Sequence, residues 1–370
     1  MKKILALALT LVMVLGLVAC GGNGGNGGTS NGPKVAVFWY DNSDAFLSTV
    51  RAEMDKEWTA KGLEFQNFDA KNDQAAQNDQ IKTAITNGFN ILVVNQVSSG
   101  SPDVAEQIMS IVGDKIPVVF FNRSPEAENG EGAVLSVHSN MCFIGTDAPE
   151  AGHMQGKMIG EYLVANYEAA DLNGDGVISY ALFMGDKTNI EAIARTKYGV
   201  EDANAVLTAN GKPELVYFDA SNSDKYQVDM SGGWTAAAAT DYMNTNLAQY
   251  NDANGNMIEL VICNNDNMAE GTVAALNTVG YNTGSGKYIP VFGVDATDAA
   301  KTLIADGKMT GSIKQDNVGM AVAVVSTVKA IHEGKTPVDA IAATGELQDI
   351  FTVSANVANK LFVAYAPYTG

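Results

Sequence analysis

The segment 171–179 carries oxygen-bearing side chains at a spacing typical of calcium-binding loops. Counting from its first residue, positions 1, 3, 5 and 9 are Asp171, Asn173, Asp175 and Ser179. Position 7, Val177, can offer a backbone carbonyl, and a glycine at position 6 allows the tight turn of an EF-hand loop. An EF-hand places a bidentate Glu at position 12, where this chain has Leu182. The loop is therefore one carboxylate short, and it either binds no ion or is completed by a residue from elsewhere in the chain.

A candidate for the missing ligand is Glu259, which stands in the otherwise apolar run 258–262. Burying a carboxylate costs several kcal/mol, on the order of the usual buried-charge penalty, unless a cation or hydrogen-bond donors meet it. The alternative is an edge strand on which Glu259 faces water. We predict a structural Ca²⁺ held by the loop and completed by Glu259.

A second pattern places amides and carboxylates directly after apolar runs at six points of the chain. The residues concerned include Tyr40, Asp41 and Asp44, Asn95, Asn122, Asn264 to Asp266, Asp295, and Lys314 to Asp316. Ligands of open α/β sheets bind beyond the carboxyl ends of the strands, and these groups match sugar hydroxyls, which both donate and accept. No glycine-rich phosphate motif follows a strand. Helix capping explains any single position equally well.

Two aromatic residues stand where they could stack on the apolar face of a sugar. Phe46 lies two residues after Asp44, and Trp234 follows two glycines at the start of an alanine-rich helical pattern. Packing in the core is the alternative for each of them. Together with the polar residues they predict a cleft for a hydroxylated ligand.

The elements that would position these residues are short apolar strands that alternate with amphipathic helices. Continuous apolar strands of this kind are typical of parallel sheets that are covered on both faces. There are too many strands for one sheet, so we predict an α/β protein of two doubly wound parallel-sheet lobes joined by a hinge. The first lobe would comprise residues 34–146 and about 315–362, and the second residues 147–314 and about 363–370. The final run, 360–368, would be one strand that lets the chain cross between the lobes.

The N-terminus predicts export and a lipid anchor. Lys2 and Lys3 precede the apolar run 4–18, which suits a signal peptide of residues 1–19. The run ends in Leu-Val-Ala-Cys, which resembles a bacterial lipobox, so Cys20 would be acylated and residues 20–33 would form a flexible tether. An ordinary secretory signal with a chance cysteine is the alternative. We expect an extracytoplasmic protein that contacts the membrane only through its lipid anchor.

The other cysteines and the net charge bear on disulfide bonding and on the class of binding partner. The two other cysteines, Cys142 and Cys263, stand in apolar stretches and are predicted to be buried free thiols rather than a disulfide. The net charge of −19 argues against nucleic acid as a partner.

Over nearly the whole chain from Lys34 onward, the sequence resembles the galactose/glucose-binding proteins of ABC sugar importers, which have the type I periplasmic-binding-protein fold. The matching stretches are 40–46, 78–81, 117–122, 145–147, 171–179, 194–196, 264–266 and 289–295. The resemblance implies that a remote Glu completes the calcium loop, and the matching residue is again Glu259.

The resemblance also implies roles for individual residues of the cleft. Phe46 and Trp234 would sandwich a pyranose ring, Asp44 would bind the hydroxyl at C4, and Tyr40 would lie at the rim of the cleft or close to the sugar. The other hydroxyls and the ring oxygen would be bound by Asn122, Arg195, Asn265 and Asp295. Three further positions of the site depart from the family pattern, namely Asn189, Glu191 and Gln315. Ser179 departs too, because it is shorter than the family's ligand.

The function implied is that of a monomeric, non-enzymatic binding protein. It would capture D-galactose, D-glucose or a close relative, and deliver it to an ABC permease by hinge closure; a chemoreceptor could read the same closed form. A pentose or furanose is the alternative ligand. A glycoside hydrolase, with Asp41 or Asp44 in a catalytic pair, is the alternative from another class. A sugar-responsive repressor on the same fold is excluded by the export signal.

Overall fold

The computed structural model describes residues 34–284 and 286–370 of the chain. The predicted signal peptide, the acylated Cys20 and the tether lie outside the described residues. The first part of the fold consists of β1 Lys34–Trp39, α1 Ala45–Ala60, β2 Glu64–Asp69, α2 Gln74–Thr86, β3 Ile91–Val94, α3 Pro102–Val112, β4 Val118–Phe121 and β5 Met141–Gly145. The second part consists of α4 Ala148–Ala170, β6 Ser179–Met184, α5 Ile190–Ala209, β7 Val216–Tyr217, β8 Gln227–Val228, α6 Ala236–Gln249, β9 Leu260–Cys263, α7 Asp266–Thr278, β10 Val291–Asp295, α8 Asp298–Ala305 and β11 Gly311–Lys314. The last part consists of α9 Asn317–His332, α10 Pro337–Gly345, β12 Phe351–Val353, β13 Lys360–Val363 and β14 Ala366–Tyr368.

These strands form two sheets. The first has the order β12-β13-β5-β4-β3-β1-β2, and the second has the order β14-β11-β10-β9-β6-β7 with β8 also paired to β6. All pairs are parallel except β12 with β13 and β11 with β14. The predicted fold class is confirmed. We call each sheet with its covering helices a lobe.

The alternation of side chains along each strand explains why both faces of each sheet are covered. In β1 the residues Val35 and Val37 enter one apolar cluster, while Ala36 and Phe38 enter another on the opposite face. The strands β9 and β10 divide their side chains in the same way between the two clusters of the second lobe. A strand that is buried on both faces must be apolar throughout, which is why these strands read as continuous apolar runs.

The chain passes between the sheets three times. It leaves the first sheet after β5, returns after β11, and crosses again between β13 and β14. The prediction of a single strand over 360–368 is wrong, because this segment forms two strands. Ala364 and Tyr365 separate them, and each strand joins a different sheet. Three further strands, β5, β8 and β12, are not predicted by the pattern of apolar runs.

Two further expectations can be compared with the described part of the chain. Cys142 and Cys263 are free and buried, as predicted. Burial raises the pKa of the Cys263 thiol to about 12, so the thiol stays protonated and unreactive. None of the helices in residues 34–284 and 286–370 is long and apolar enough to cross a bilayer.

Candidate functional site

A cavity lies between the two sheets. All eleven residues predicted from the sequence line it together with two others, and the full lining is Tyr40, Asp44, Phe46, Leu47, Asn122, Arg123, Asn189, Glu191, Arg195, Trp234, Asn265, Asp295 and Gln315. Asp41 is not among them; its carboxylate accepts from the amide and hydroxyl of Ser43 instead.

Asp44 shows how a residue can cap a helix and line the cavity at once. Its Oδ1 accepts from the amide of Leu47 at 2.8 Å, which makes it the N-cap of α1. Its Oδ2 accepts from the hydroxyl of Tyr40 at 2.6 Å. The N-cap places Phe46 in the first turn of α1, where its ring reaches the cavity. Burial raises the pKa of Tyr40, so its hydroxyl stays a donor.

Two asparagines of the second lobe also cap a helix and line the cavity at the same time. Asn189 caps α5 and Asn265 caps α7, and each Oδ1 accepts from a backbone amide at 3.0 Å. Three helices therefore begin at the cavity. The capping explanation and the binding prediction for these residues do not compete, because the capping geometry is what delivers the side chains to the cavity. Asn95, by contrast, does not line the cavity; it bonds the backbone of Tyr40 and Phe121 and donates to Oδ1 of Asn122 at 3.2 Å.

The backbone is strained at three residues that line the cavity. Asn122, Trp234 and Asp295 have φ values of 58°, 55° and 120°, which non-glycine residues rarely adopt. Such conformations cost about 1–3 kcal/mol each and concentrate at functional sites. The Trp234 carbonyl is held by the side-chain amides of Asn265 and Asn267 at 3.3 and 3.1 Å.

Gly185 provides the space for the indole of Trp234. A Cβ at this position would lie 2.1 Å from Cδ2 of Trp234. The absence of a side chain lets one face of the indole pack on the backbone after β6. Together with the strained φ of Trp234, this contact fixes the orientation of the ring.

The charged groups in the cavity are buried, and the charge of Arg195 affects the pKa of its acidic neighbours. The guanidinium of Arg195 donates from Nη1 to the Asn264 carbonyl at 2.8 Å, and from Nη2 to Gln315 at 3.3 Å. Burial raises the pKa of Asp295, while the nearby Arg195 opposes that shift. Burial also raises the pKa of Glu191. These carboxyl groups would gain from hydroxyl donors that a ligand supplies.

Glu191 joins the two lobes. The hydroxyl of Ser99, which follows β3 in the first lobe, donates to Glu191 Oε2 at 2.9 Å. Both residues are buried. Of the three positions that depart from the family pattern, this one therefore makes a contact across the cleft.

Two nitrogen donors at the cavity have no acceptor within the described part of the chain. They are Nε of Arg195 and Nε1 of Trp234, both buried. Buried donors are nearly always paired in folded proteins. A ligand with hydroxyl or ring oxygens would supply the missing acceptors.

Arg123 and Leu47 line the cavity although neither was predicted as a site residue. Arg123 directly follows Asn122, so the pattern of polar residues after strands contained it. Its guanidinium carbon lies 3.3 Å from the centre of the Tyr40 ring, and Nη1 donates to the Val97 carbonyl. The Arg123 guanidinium therefore occupies space on the side of the cavity that the first lobe forms. Leu47 had no polar signal, and only its place after the N-cap brings it there.

The segment 171–179 folds as a loop organised by its own carboxylates. Asp171 accepts from the amides of Gly174 and Gly176, both at 2.9 Å, and Asp175 accepts from that of Val177 at 2.9 Å. In the described residues no three acidic, His or Cys side chains are grouped as a metal-ligand set.

Glu259 reaches this loop from the second sheet. It is fully buried directly before β9, so the alternative of an edge position facing water is wrong. Its carboxylate accepts from the amides of Leu172, Asn173 and Ser179 at 2.7, 3.1 and 3.1 Å. Burial raises the pKa of Glu259 despite these bonds. The groups bonded to this carboxylate are backbone N–H donors, and the negative charge of Asp171 nearby also raises its pKa. Two neighbouring carboxylates are ligands that a hard cation such as Ca²⁺ prefers.

The predicted ligand Ser179 is placed differently. Its hydroxyl donates to the Met257 carbonyl instead of pointing along the loop. A short side chain at position 9 is more easily recruited by a neighbouring carbonyl than a long one. Direct ligation by this hydroxyl is therefore not the arrangement that the structure shows.

A sequence profile described as the periplasmic binding protein domain matches residues 35–336. The chain belongs to the periplasmic binding protein family. Family membership places the protein outside the cytoplasm and among binding proteins.

The chain aligns with individual relatives over most of their length. The chain is 33% identical over 321 residues to the D-galactose/methyl-galactoside binding periplasmic protein MglB of Haemophilus influenzae, which covers 86% of this chain and 87% of the relative. It is 24% identical to the ribose import binding protein RbsB of Bacillus subtilis, covering 85% of this chain and 88% of the relative. Among solved structures, an ABC transporter solute binding protein of Clostridium phytofermentans with bound β-D-glucose superimposes with a TM-score of 0.66 at 22% identity, covering 91% and 94% of the two chains. At that identity the superposition establishes the fold.

Proposed function

We propose that this protein captures a monosaccharide, D-galactose, D-glucose or a close relative, and delivers it to an ABC importer. The observation that carries the proposal is the cavity, which gathers eleven residues from distant parts of the chain. It offers a ring-stacking pair in Phe46 and Trp234, acceptors in Asp44 and Asp295, and unpaired donors in Arg195 and Trp234. This combination suits a small neutral polyol better than a phosphate or a peptide.

Capture would proceed by hinge closure between the lobes. The open protein would hold the sugar on one lobe, and contacts from the other would then favour the closed state. Ser99–Glu191 and the bond from the Asn72 side chain to the Ser231 carbonyl, 3.0 Å, are contacts of this kind between the lobes. The closed, loaded form would be the one that docks on the permease, and a chemoreceptor could read it too.

The preference for galactose or glucose rests on the printed name of one relative. MglB of Haemophilus influenzae is named for D-galactose and methyl-galactoside and is 33% identical to this chain. A single hydrogen bond with a charged partner is worth about 1.5–3 kcal/mol, so Asn189, Glu191 and Gln315 can change which hexose binds best.

A pentose or furanose is the second candidate. Arg123 narrows the cavity beside Tyr40, and a smaller ring would fit the reduced space. The similarity to the ribose import binding protein of Bacillus subtilis agrees with this alternative. A glycoside hydrolase has less support, because Asp44 is engaged by Leu47 and Tyr40.

Isothermal titration calorimetry against a panel of monosaccharides tests the proposal. The panel should hold galactose, glucose, allose, ribose, arabinose and myo-inositol. Micromolar or tighter binding of galactose or glucose is the expected result. Tightest binding of ribose or arabinose would favour the second candidate, and binding of none would overturn the function. Incubation with nitrophenyl glycosides serves as the control for hydrolysis, since turnover contradicts a pure binder.

We also propose that the loop 171–179 holds a structural Ca²⁺ with Glu259. The donors would be the side chains of Asp171, Asn173 and Asp175, the carbonyl of Val177 and the carboxylate of Glu259. A bound cation would neutralise the buried carboxylate and cross-link the loop to the second sheet. Support comes from the buried position of Glu259 against the loop, where the negative charge of Asp171 raises its pKa.

A lipid anchor at Cys20 is proposed from the sequence alone. The mature chain would begin at the acylated cysteine, and residues 21–33 would tether the lobes to the membrane. Metabolic labelling with an alkyne-bearing palmitate, followed by detection of the protein, tests this. Label in the native chain and none in Cys20→Ser is expected; equal label in both would contradict the anchor.

A further inference from the structure

Arg195 occupies an unusual position, because its contacts extend from the cavity to the crossings between the lobes. It lies on α5 of the second lobe and is buried. Its Nη1 is bonded to the Asn264 carbonyl, whereas Nη2 donates to both Gln315 and the hydroxyl of Tyr365, at 3.3 and 3.0 Å. Its Nε, which has no partner among the described residues, is left for the ligand.

The partners of Nη2 belong to two of the three crossings. Gln315 directly follows β11, where the chain returns to the first lobe. Tyr365 lies between β13 and β14, where the chain crosses for the last time. Both side chains are buried, at 4% exposure each, so water does not compete for these bonds.

Tyr365 extends the connection to the remaining crossing. Its hydroxyl is 2.8 Å from Oγ1 of Thr146, which directly follows β5. Arg195 can only donate, so the Tyr365 oxygen accepts from Arg195 and shares a second bond with Thr146. A single guanidinium is therefore bonded, directly or through one phenol, to side chains on all three crossings.

We infer that Tyr365 is a positioning residue that couples ligand contact at Arg195 to the angle between the lobes. The inference rests on the proposed function of the cavity. Tyr365 fixes the plane of the guanidinium, which sets the direction of the free Nε toward the ligand. A ligand that holds Arg195 in this plane then also holds the three crossings in one arrangement. Rotation of the lobes would shift Thr146, Gln315 and Tyr365 relative to one another, so these bonds restrain the rotation with or without a ligand.

The test compares variants that each remove one link. Tyr365→Phe deletes only the hydroxyl, Thr146→Val deletes its partner, and the double variant deletes both. The matched control is Tyr288→Phe, because the Tyr288 hydroxyl makes the same kind of bond to Thr310 Oγ1, 2.8 Å, away from the cavity and the crossings. Affinity is measured by calorimetry with the tightest-binding sugar of the panel.

The angle between the lobes is followed separately through the distance between two spin labels, which is measured by double electron–electron resonance. Ala52→Cys and Asp298→Cys place the labels on opposite sides of the groove at the mouth of the cleft. The full chain carries Cys20→Ser in addition, and the native Cys142 and Cys263 are buried and escape labelling.

Tyr365→Phe is expected to weaken binding about 10-fold, the size of one hydrogen bond to a charged group. It should also broaden the distance distribution of both the free and the loaded protein. Thr146→Val should weaken binding less, and the double variant should match Tyr365→Phe, since Thr146 acts through Tyr365. Tyr288→Phe should change neither readout.

Other results would overturn the coupling. Unchanged affinity and unchanged distances in Tyr365→Phe would do so, as would a lowered melting temperature with both readouts intact, which is the mark of a purely structural bond. If the unmodified protein binds no sugar at all, the proposed function fails. The coupling is then judged by the ligand-free distances alone, and an unchanged distribution in Tyr365→Phe rejects it.

Discussion

The cavity between the lobes and the loop 171–179 are both rich in oxygen-bearing side chains, but they are built in opposite ways. The carboxylates of the loop accept from amides of the loop itself, two to five residues away. The cavity gathers residues from Tyr40 to Gln315, strains three backbones and leaves two buried donors without acceptors. The polar groups of the loop are met within the chain, by the loop itself and by Glu259, whereas the interlobe site leaves two buried donors available to a ligand. The comparison predicts that changes in the loop act on stability and that changes in the cavity act on binding.

The largest expected effect is the loss of calcium from the loop. Removal of the ion with EDTA should lower the free energy of unfolding by about 2.7 kcal/mol, if the ion had been present at 100 times its dissociation constant. Glu259→Gln should lose the same stabilisation, because its neutral amide binds the cation poorly, and it should respond little to EDTA. Thermal melts with and without Ca²⁺ measure both effects. Glu168→Gln, exposed on α4, is the control, and a melt that ignores EDTA would contradict the calcium site.

The next effect is expected in the cavity, from Asp295→Asn. The variant loses a charged acceptor for ligand hydroxyls, so affinity should fall by about 1.5–3 kcal/mol, or roughly 10- to 100-fold. The ligand-free protein should not be destabilised at pH 7, since burial makes the ionised Asp295 costly. Calorimetry and thermal melts together check this. Asp298→Asn removes an equal charge from a fully exposed side chain and should leave affinity unchanged; equal losses in both variants would refute the role of Asp295.

The same carboxyl gives a pH dependence whose sign follows from its raised pKa. Unfolded Asp ionises near 3.9, while folded Asp295 retains its proton to higher pH. The unfolded state therefore binds fewer protons between these two pKa values, and stability falls as pH rises through that window. Asp295→Asn should show a smaller fall than the unmodified protein in melts of the ligand-free chain from pH 4 to pH 8. Parallel curves for the two proteins would show that Asp295 does not carry the effect.

Gly185→Ala should weaken binding by disturbing the indole of Trp234. The new Cβ would lie 2.1 Å from the ring, so the indole must move, at a cost of about 1–3 kcal/mol. Calorimetry should show weaker sugar binding, and the tryptophan emission should shift. Gly130→Ala, whose Cβ would meet nothing closer than 3.5 Å, should behave as the unmodified protein. Full affinity in Gly185→Ala would show that the position of the indole is not important for binding.

The smallest effect is expected from the contact between the lobes. Ser99→Ala removes the donor to Glu191 and should weaken the closed, loaded state by about 1 kcal/mol, or roughly fivefold in affinity. The neighbouring Ser98→Ala, which does not line the cavity, is the control. An unchanged dissociation constant would mean that Glu191 serves the ligand and not the closure.

The sequence by itself determined that the chain forms two α/β lobes, and it determined the local motifs. Strands such as Ile91–Val94 are apolar at every position because both faces are covered, and that pattern is visible without any contact information. The loop 171–179 was recognisable for a similar reason, since the candidate ligands other than Glu259 lie within nine residues. The family resemblance added the set of cavity residues, and the structure brings all of them together.

Only the tertiary structure decided the features that depend on long-range contacts. It turned Ser179 toward Met257, joined Glu191 to Ser99, and brought Arg123 over Tyr40. It also divided 360–368 into two strands in different sheets, although the run is continuous in sequence pattern. Hydrophobic periodicity reports whether a residue is buried, because burial depends on its own element. It does not report which partner a polar side chain meets, because that partner can lie far away in sequence, 219 residues for Thr146 and Tyr365.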